Sequence, residues 1–278
     1  MFLNLKNILN SLILLFTSLV IYAQSTKPYV VMVSFDGFRY DYAEKYNAKN
    51  IKEFIKQGAA AEMMRPSFPS KTFPNHYTLV TGLYPGNHGL VDNTFYDKGR
   101  DTFYSIRQRA KVEDPYYYGG LPIWQLVQQN GMKAASYFWV GSEAPIAGQY
   151  PTYFHRFDDT VHPKNRVQAV FDWLNLPEAE RPQLMTIYFS MVDTQGHEYG
   201  PNGDKTKEAV MQADSLVGML VNGLQKISLP VNVILVSDHG MYEMKNKPEF
   251  FVYQEDLLAG LVKDDFIFVN LFRINFYI

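Results

Sequence analysis

Tyr29-Val30-Val31-Met32-Val33-Ser34-Phe35-Asp36-Gly37 is the stretch on which the fold class turns. Its apolar and β-branched residues run on without a polar alternation, which is the pattern of a strand covered on both faces. The run stops at an acid and a glycine. Two later segments repeat the design: Leu184 to Ser190 leads to Val192-Asp193, and Val231 to Ser237 leads to Asp238-His239. Between them lie helical patterns, Ile51, Phe54 and Ile55 before Gly58, and Ile123 to Gln129 before Gly131, each closed by a glycine. The clearest helix spans Lys205 to Ile227, where Val210, Ala213, Val217, Leu220, Leu224 and Ile227 step by three and four along one face. Strands alternating with helices predict an α/β fold, a doubly wound, mostly parallel sheet with helices on both faces. Ligands of such sheets collect beyond the carboxyl ends of the strands, where Asp36, Asp193, Asp238 and His239 all fall.

With 278 residues, 47% of them hydrophobic, the chain can bury a full core, and it shows no internal repeat or interdomain linker. The Tyr/Pro/Gly-rich stretch from Tyr96 to Gly120 reads as a surface insertion. Net charge is −2 with acids and bases interspersed, so there is no basic field to hold a nucleic-acid polymer. There is no cysteine, which excludes disulfides, thiolate ligands and a cysteine nucleophile. Any metal must be held by His, Asp, Glu or hydroxyl oxygen.

The N-terminus reads as an export signal over residues 1–23: Lys6, an apolar stretch from Leu12 to Tyr22, then Ala23-Gln24-Ser25 as a small-residue cleavage zone. A retained anchor is the alternative, but the stretch is short of the about 20 apolar residues a span needs, and no later segment supplies one. The expected mature protein, 24–278, is therefore periplasmic, secreted or at the cell surface, with no stable membrane span.

Candidate chemistry lies in three places. Asp193 and His197 stand four apart, so on a helical turn they share a face. Such a pair is also what a surface hydrogen bond looks like. Asp238-His239, directly after an apolar strand, has little packing reason to be there, with a capping Asp as the alternative. Pro66 to Tyr77 is a proline-punctuated approach to a helix running to Thr81, with Pro74 in its first turn. Thr72 then stands at the helix start, either as an N-cap or where unpaired N–H groups and the dipole favour a phosphate. His76 and His88 read as hydrogen-bonding structural residues nearby, and His155 and His162 as local to a loop.

Taken together, Ser34-Phe35-Asp36-Gly37-Phe38-Arg39, Lys71-Thr72-Phe73-Pro74-Asn75-His76-Tyr77, Thr81 to Asn93, Phe138-Trp139-Val140-Gly141-Ser142-Glu143, Asp193 to Pro201 and Ser237-Asp238-His239-Gly240-Met241 resemble the nucleotide pyrophosphatase/phosphodiesterase family of the alkaline phosphatase superfamily. The resemblance runs from about Val30 to Met241. It implies an alkaline-phosphatase-like core and hydrolysis of phosphodiester or pyrophosphate bonds, of nucleotides first, through a phosphothreonine on Thr72. It also implies two zinc ions, one held by Asp36, Asp238, His239 and the Thr72 oxygen, the other by Asp193, His197 and a third ligand. Asn93 matches a residue whose amide donates to a non-bridging phosphoryl oxygen, and Phe73, Trp139 and Phe157 match positions lining a nucleoside pocket, with ordinary core packing as their alternative. Arg39 reads as a structural surface residue.

Two departures stand out. The family's third ligand is a histidine downstream of His239, and no histidine follows His239 here. The family's catalytic domain continues past Ile278, and Leu271 to Ile278 looks foreign to it, so a truncated or frameshifted product is expected. The competing functions are a phosphomonoesterase or a phospholipid or choline phosphodiesterase of the same superfamily, and an inactive homologue. Manganese or iron competes with zinc.

Overall fold

The computed structural model describes residues 28–243. The expected export signal and the closing Leu271 to Ile278 lie outside them. Strand β1 (Tyr29–Phe35) lies between β6 and β7 in a five-stranded parallel sheet of order β5-β4-β6-β1-β7, where β4 is Ala134–Tyr137, β5 Tyr153–His155, β6 Leu184–Phe189 and β7 Val231–Val236. A second, antiparallel pair joins β2 (Thr94–Asp97) to β3 (Thr102–Ser105). The helices in chain order are α1 (Tyr42–Lys45), α2 (Lys49–Gln57), α3 (Thr72–Thr81), α4 (Pro85–His88), α5 (Arg109–Val112), α6 (Ile123–Gln129), α7 (Pro163–Leu174), α8 (Met191–Tyr199) and α9 (Asp204–Leu224). None of the described helices is long and apolar enough to cross a membrane.

The unalternating run of β1 is explained by two cores. Val31, Val33 and Phe35 pack with α7 and with the Val210, Ala213, Leu216, Val217 and Leu220 stripe of α9, while Met32 packs on the opposite face with Tyr77 and Val80 of α3 and Trp124 of α6. Truncating Leu216 or Leu220 to alanine would cost about 2–5 kcal/mol. Helix α2 starts at Ala48, which has no capping side chain; buried Asp214 of α9 takes the role by accepting from Ile51 N–H and Asn50 Nδ2, each at 2.8 Å. The cap thus also fixes how α2 docks on α9.

Two segments differ from the sequence-based expectation. Strand β7 is not covered on both faces by the described residues: Asn232 and Ile234, which share a face, are exposed. The Tyr96–Gly120 stretch is not merely surface. Tyr104, Tyr117 and Tyr118 are buried in it: Tyr104 stacks on Phe95, Tyr117 meets Phe95 edge-on, and Tyr118 meets Tyr77 of α3 edge-on, joining the core under α3 and α6.

Register brings the carboxyl ends of the central strands level. Ser34 lies opposite both Tyr188 and Val236, so two residues further on Asp36 comes level with Ser190 and Asp238.

Candidate active site and metal centre

Asp36 is held at the sheet edge by its N–H, which donates to the Phe189 carbonyl oxygen at 2.9 Å. The next two residues bind the loop after β7: Gly37 N–H donates to Asp238 Oδ1 at 3.1 Å and Phe38 N–H to Ser237 Oγ at 3.0 Å. Arg39 closes the same seam, paired with Asp41 and donating to the Met241 carbonyl at 3.2 Å. Its place is structural.

These bonds bring Asp36, Asp238 and His239 together, all buried, with one ligand-type atom of each within 4.8 Å of the others. Tyr188 donates to Asp36 Oδ2 at 2.6 Å, but Asp36 Oδ1 and Asp238 Oδ2 have no hydrogen bond, although His239 Nε2 lies 3.5 and 3.1 Å from them. His239 Nδ1 lies 2.9 Å from the Gly240 carbonyl oxygen. Burial, then the neighbouring Asp238 and Asp193, push the Asp36 carboxyl well above the usual range. Burial acts the same way on Asp238, but His239 and His76 outweigh it and hold that carboxyl below the usual range. Two buried carboxylate oxygens without hydrogen bonds, Asp36 Oδ1 and Asp238 Oδ2, facing one imidazole suit a cation, and a donor set of two carboxylates and an imidazole suits zinc.

Asp193 and His197 both lie on α8, with His197 Nε2 3.3 Å from Asp193 Oδ1. Gly37 lets this helix approach: at φ +67°, a Cβ there would stand 2.9 Å from Asp193 Cα. Asp193 Oδ1 is a third buried carboxylate oxygen with no hydrogen bond. Gly37 therefore touches both groups, Asp238 through its N–H and Asp193 at its Cα.

Thr72 is the first residue of α3, not its N-cap; the cap position is Lys71. The free N–H groups expected at this helix start are largely spoken for. Phe73 N–H donates to Asn93 Oδ1 at 3.0 Å, Pro74 has no N–H, and Asn75 N–H donates to the Lys71 carbonyl at 3.1 Å. Asn93 thus spends its oxygen on the helix, which leaves its NH2 as the donor at this end. Its own backbone is fixed by Ile106 N–H, which donates to the Asn93 carbonyl at 3.0 Å, and by the adjoining Lys71–Asp92 ion pair at 2.9 Å.

His76 joins the nucleophile candidate to the metal candidates. Its Nδ1 lies 2.9 Å from the Thr72 carbonyl oxygen and 3.3 Å from Asp238 Oδ2, and its Nε2 is hydrogen-bonded with Ser34 Oγ at 2.8 Å. Trp139, fully buried, donates from Nε1 to the His76 carbonyl at 3.0 Å, and so stands behind α3. Phe73 is half-buried at the helix start. Phe157 is 40% exposed and packs on Phe138 and, at 6.3 Å, on Tyr188, so of the three aromatic candidates it offers the most surface beside the acids. His88, His155 and His162 are local: His88 links Thr78 to Leu90, His155 stacks on Tyr137, and His162 caps α7. Sequence reasoning missed Tyr188 and the roles of Asn75 and Glu143. Asn75 ties Ser67, Pro69 and Lys71 to α3, and Glu143 accepts from Phe157 N–H at 3.0 Å.

Comparison with known proteins follows the same outline. The family model described as type I phosphodiesterase/nucleotide pyrophosphatase matches residues 30–265. Venom phosphodiesterase 2 of Crotalus adamanteus is 40% identical over 240 residues, which is 81% of this chain and 30% of that protein. Human ectonucleotide pyrophosphatase/phosphodiesterase family member 1 is 39% identical over 218 residues, 77% of this chain and 24% of that protein. Murine ectonucleotide pyrophosphatase/phosphodiesterase 5, solved as an inactive threonine-to-alanine variant in complex with AMP, superposes with a TM-score of 0.74 at 29% identity, covering 82% of this chain and 62% of that one. The chain spans less than a third of the length of these curated relatives. On the family match and the shared fold, it belongs to the type I phosphodiesterase/nucleotide pyrophosphatase family.

Proposed function

We propose that this chain hydrolyses phosphodiester or pyrophosphate bonds of small nucleotides with zinc, using Thr72 as nucleophile. The observation that carries the reading is the convergence of three buried carboxylate oxygens without hydrogen bonds, on Asp36, Asp193 and Asp238, beside the helix that Thr72 begins. The proposed complement is two zinc ions, one with Asp36, Asp238, His239 and the Thr72 oxygen, the other with Asp193, His197 and a third ligand. Bound there, zinc would lower the pKa of a coordinated hydroxyl and draw charge from phosphoryl oxygens.

Thr72 Oγ1 attacks phosphorus while the bond to the leaving alkoxy or phosphate group breaks on the opposite side, giving a phosphothreonine. Water then displaces Thr72 by a second in-line substitution. Asn93 donates its NH2 to a non-bridging oxygen; a neutral donor matches a diester, which carries one negative charge, better than a monoester. His76, through the Thr72 carbonyl, holds the first turn of α3 in register with Asp238. Phe157 and Phe73 offer ring faces to a base, which stacking accepts without selecting its identity. Trp139 supports this wall from behind. Export, by way of residues 1–23, puts the enzyme among extracellular or periplasmic nucleotides.

The test compares a nucleotide phosphodiester with a phosphomonoester, using zinc-supplemented protein and Thr72→Ala as control. Diester turnover that disappears in the variant while zinc uptake persists supports the reading. Turnover retained in Thr72→Ala removes the nucleophile, and preference for the monoester makes the chain a phosphatase.

A further inference from the structure

Tyr188 faces the same side of β6 as Thr186, whose hydroxyl is occupied by Ser136 at 3.0 Å. The Tyr188 phenol instead reaches across to β1 and donates to Asp36 Oδ2 at 2.6 Å. The residue is only 8% exposed and fixed at several points: Arg166 Nη1 donates to its carbonyl at 2.9 Å, and its ring meets His76 edge-on at 5.0 Å. A bond this short between a hydroxyl and a carboxylate oxygen is the strong, charge-assisted kind. It makes the two oxygens of Asp36 unequal, because Oδ2 is occupied and Oδ1, without a hydrogen bond, is the one turned to His239.

We propose that Tyr188 is a positioning residue of the metal centre: by occupying Asp36 Oδ2 it fixes the carboxylate with Oδ1 alone presented to the cation, and so sets how tightly the Asp36/Asp238/His239 subsite takes up zinc. This rests on the reading of that cluster as a metal centre. A carboxylate without the phenol can rotate or offer both oxygens, and loss of such an outer partner weakens metal binding about tenfold to a hundredfold. Were Tyr188 only a packing residue, its ring would matter and its hydroxyl would not.

Tyr188→Phe keeps the ring and removes the hydroxyl, so zinc affinity of the full chain, measured by chelator competition, separates the two. The expected result is one zinc bound about tenfold to a hundredfold more weakly. Unchanged affinity for every zinc overturns the proposal. If the variant folds only with metal, the zinc midpoint of refolding is measured instead: a shift of tenfold or more supports the proposal, and an unshifted midpoint overturns it. Asp36→Asn, run alongside, isolates the underlying reading. Zinc stoichiometry equal to wild type in that variant sinks the metal centre itself, whereas loss of one zinc with an unaffected Tyr188→Phe sinks only the role of Tyr188.

Discussion

Asn93 has two functional atoms, and two substitutions separate them. Its Oδ1 accepts Phe73 N–H at 3.0 Å in the first turn of α3, and its Nδ2 is the proposed donor to a phosphoryl oxygen. Asn93→Asp keeps the acceptor and adds negative charge at a helix N-terminus, a change worth about 0.3–1 kcal/mol in favour of folding. Lys71 cannot cancel that charge without leaving Asp92, 2.9 Å away. The same variant loses the donor, and one oxyanion donor is worth about 10²–10³ in kcat. Asn93→Asp should therefore melt at or above the wild-type temperature while diester turnover falls by at least that factor. Asn93→Ala loses both atoms: about 1 kcal/mol of capping, or about 2–4 °C in Tm, together with a similar kinetic loss. Thermal melts and diester kcat on the zinc-loaded proteins read both effects. Wild-type turnover in Asn93→Asp would refute the assignment of the donor, and an unchanged melt in Asn93→Ala would refute the cap.

Burial lowers the His88 pKa to about 4 from 6.5, so the unfolded chain takes up a proton that the folded one refuses between those values. Stability should fall by about 1.4 kcal/mol per pH unit as pH drops from 6.5 to 4 and then level off; urea unfolding of His88→Gln should lack this component. Gly37→Ala combines a strained φ of +67° with a Cβ 2.9 Å from Asp193 Cα, so it should cost about 1–3 kcal/mol and reduce zinc uptake by Asp193 and His197, read by metal analysis of the purified variant. Glu143, only 4% exposed, pairs with Arg109 and accepts from Phe157 N–H. Glu143→Ala should raise KM for a nucleotide diester more than for a methyl phosphodiester, and Glu143→Gln, which keeps the acceptor, should raise it less; equal effects on the two substrates would remove Phe157 from base binding.

The acids at the strand ends could be read from sequence because a buried parallel strand leaves a distinctive apolar run, and its carboxyl end is a fixed place in the fold. Asp36, Asp238 and His239 needed no knowledge of side-chain direction to be placed together. Tyr188 did. It lies 152 positions from Asp36 and next to Phe189 in a run that reads as core, and only the β1–β6 register turns its hydroxyl toward the acid. Thr72 illustrates a different limit: one residue of helix boundary separates an N-cap from a first helical residue, and propensity does not resolve it. The aromatic stretch from Tyr96 to Gly120 misled for a third reason, since tyrosines suit both surfaces and interiors and carry no clear periodicity there.

That stretch gives the site its second half. The sheet edge holds the acids, but the atoms that would meet the substrate are set from outside the sheet: Ile106 fixes the Asn93 backbone, and Arg109, at the start of α5, pairs with both Glu113 and Glu143. Arg156 reaches Glu113 as well, so the residues on both sides of the Phe157 backbone N–H are tied to this one segment. A change in the 94–113 segment can thus move Asn93, the proposed donor to a phosphoryl oxygen, and the exposed Phe157 ring together without touching Asp36, Asp193 or Asp238. Alterations there should change which diesters are accepted while zinc affinity stays constant, whereas alterations at Ser34, His76 or Tyr188 should change zinc affinity first.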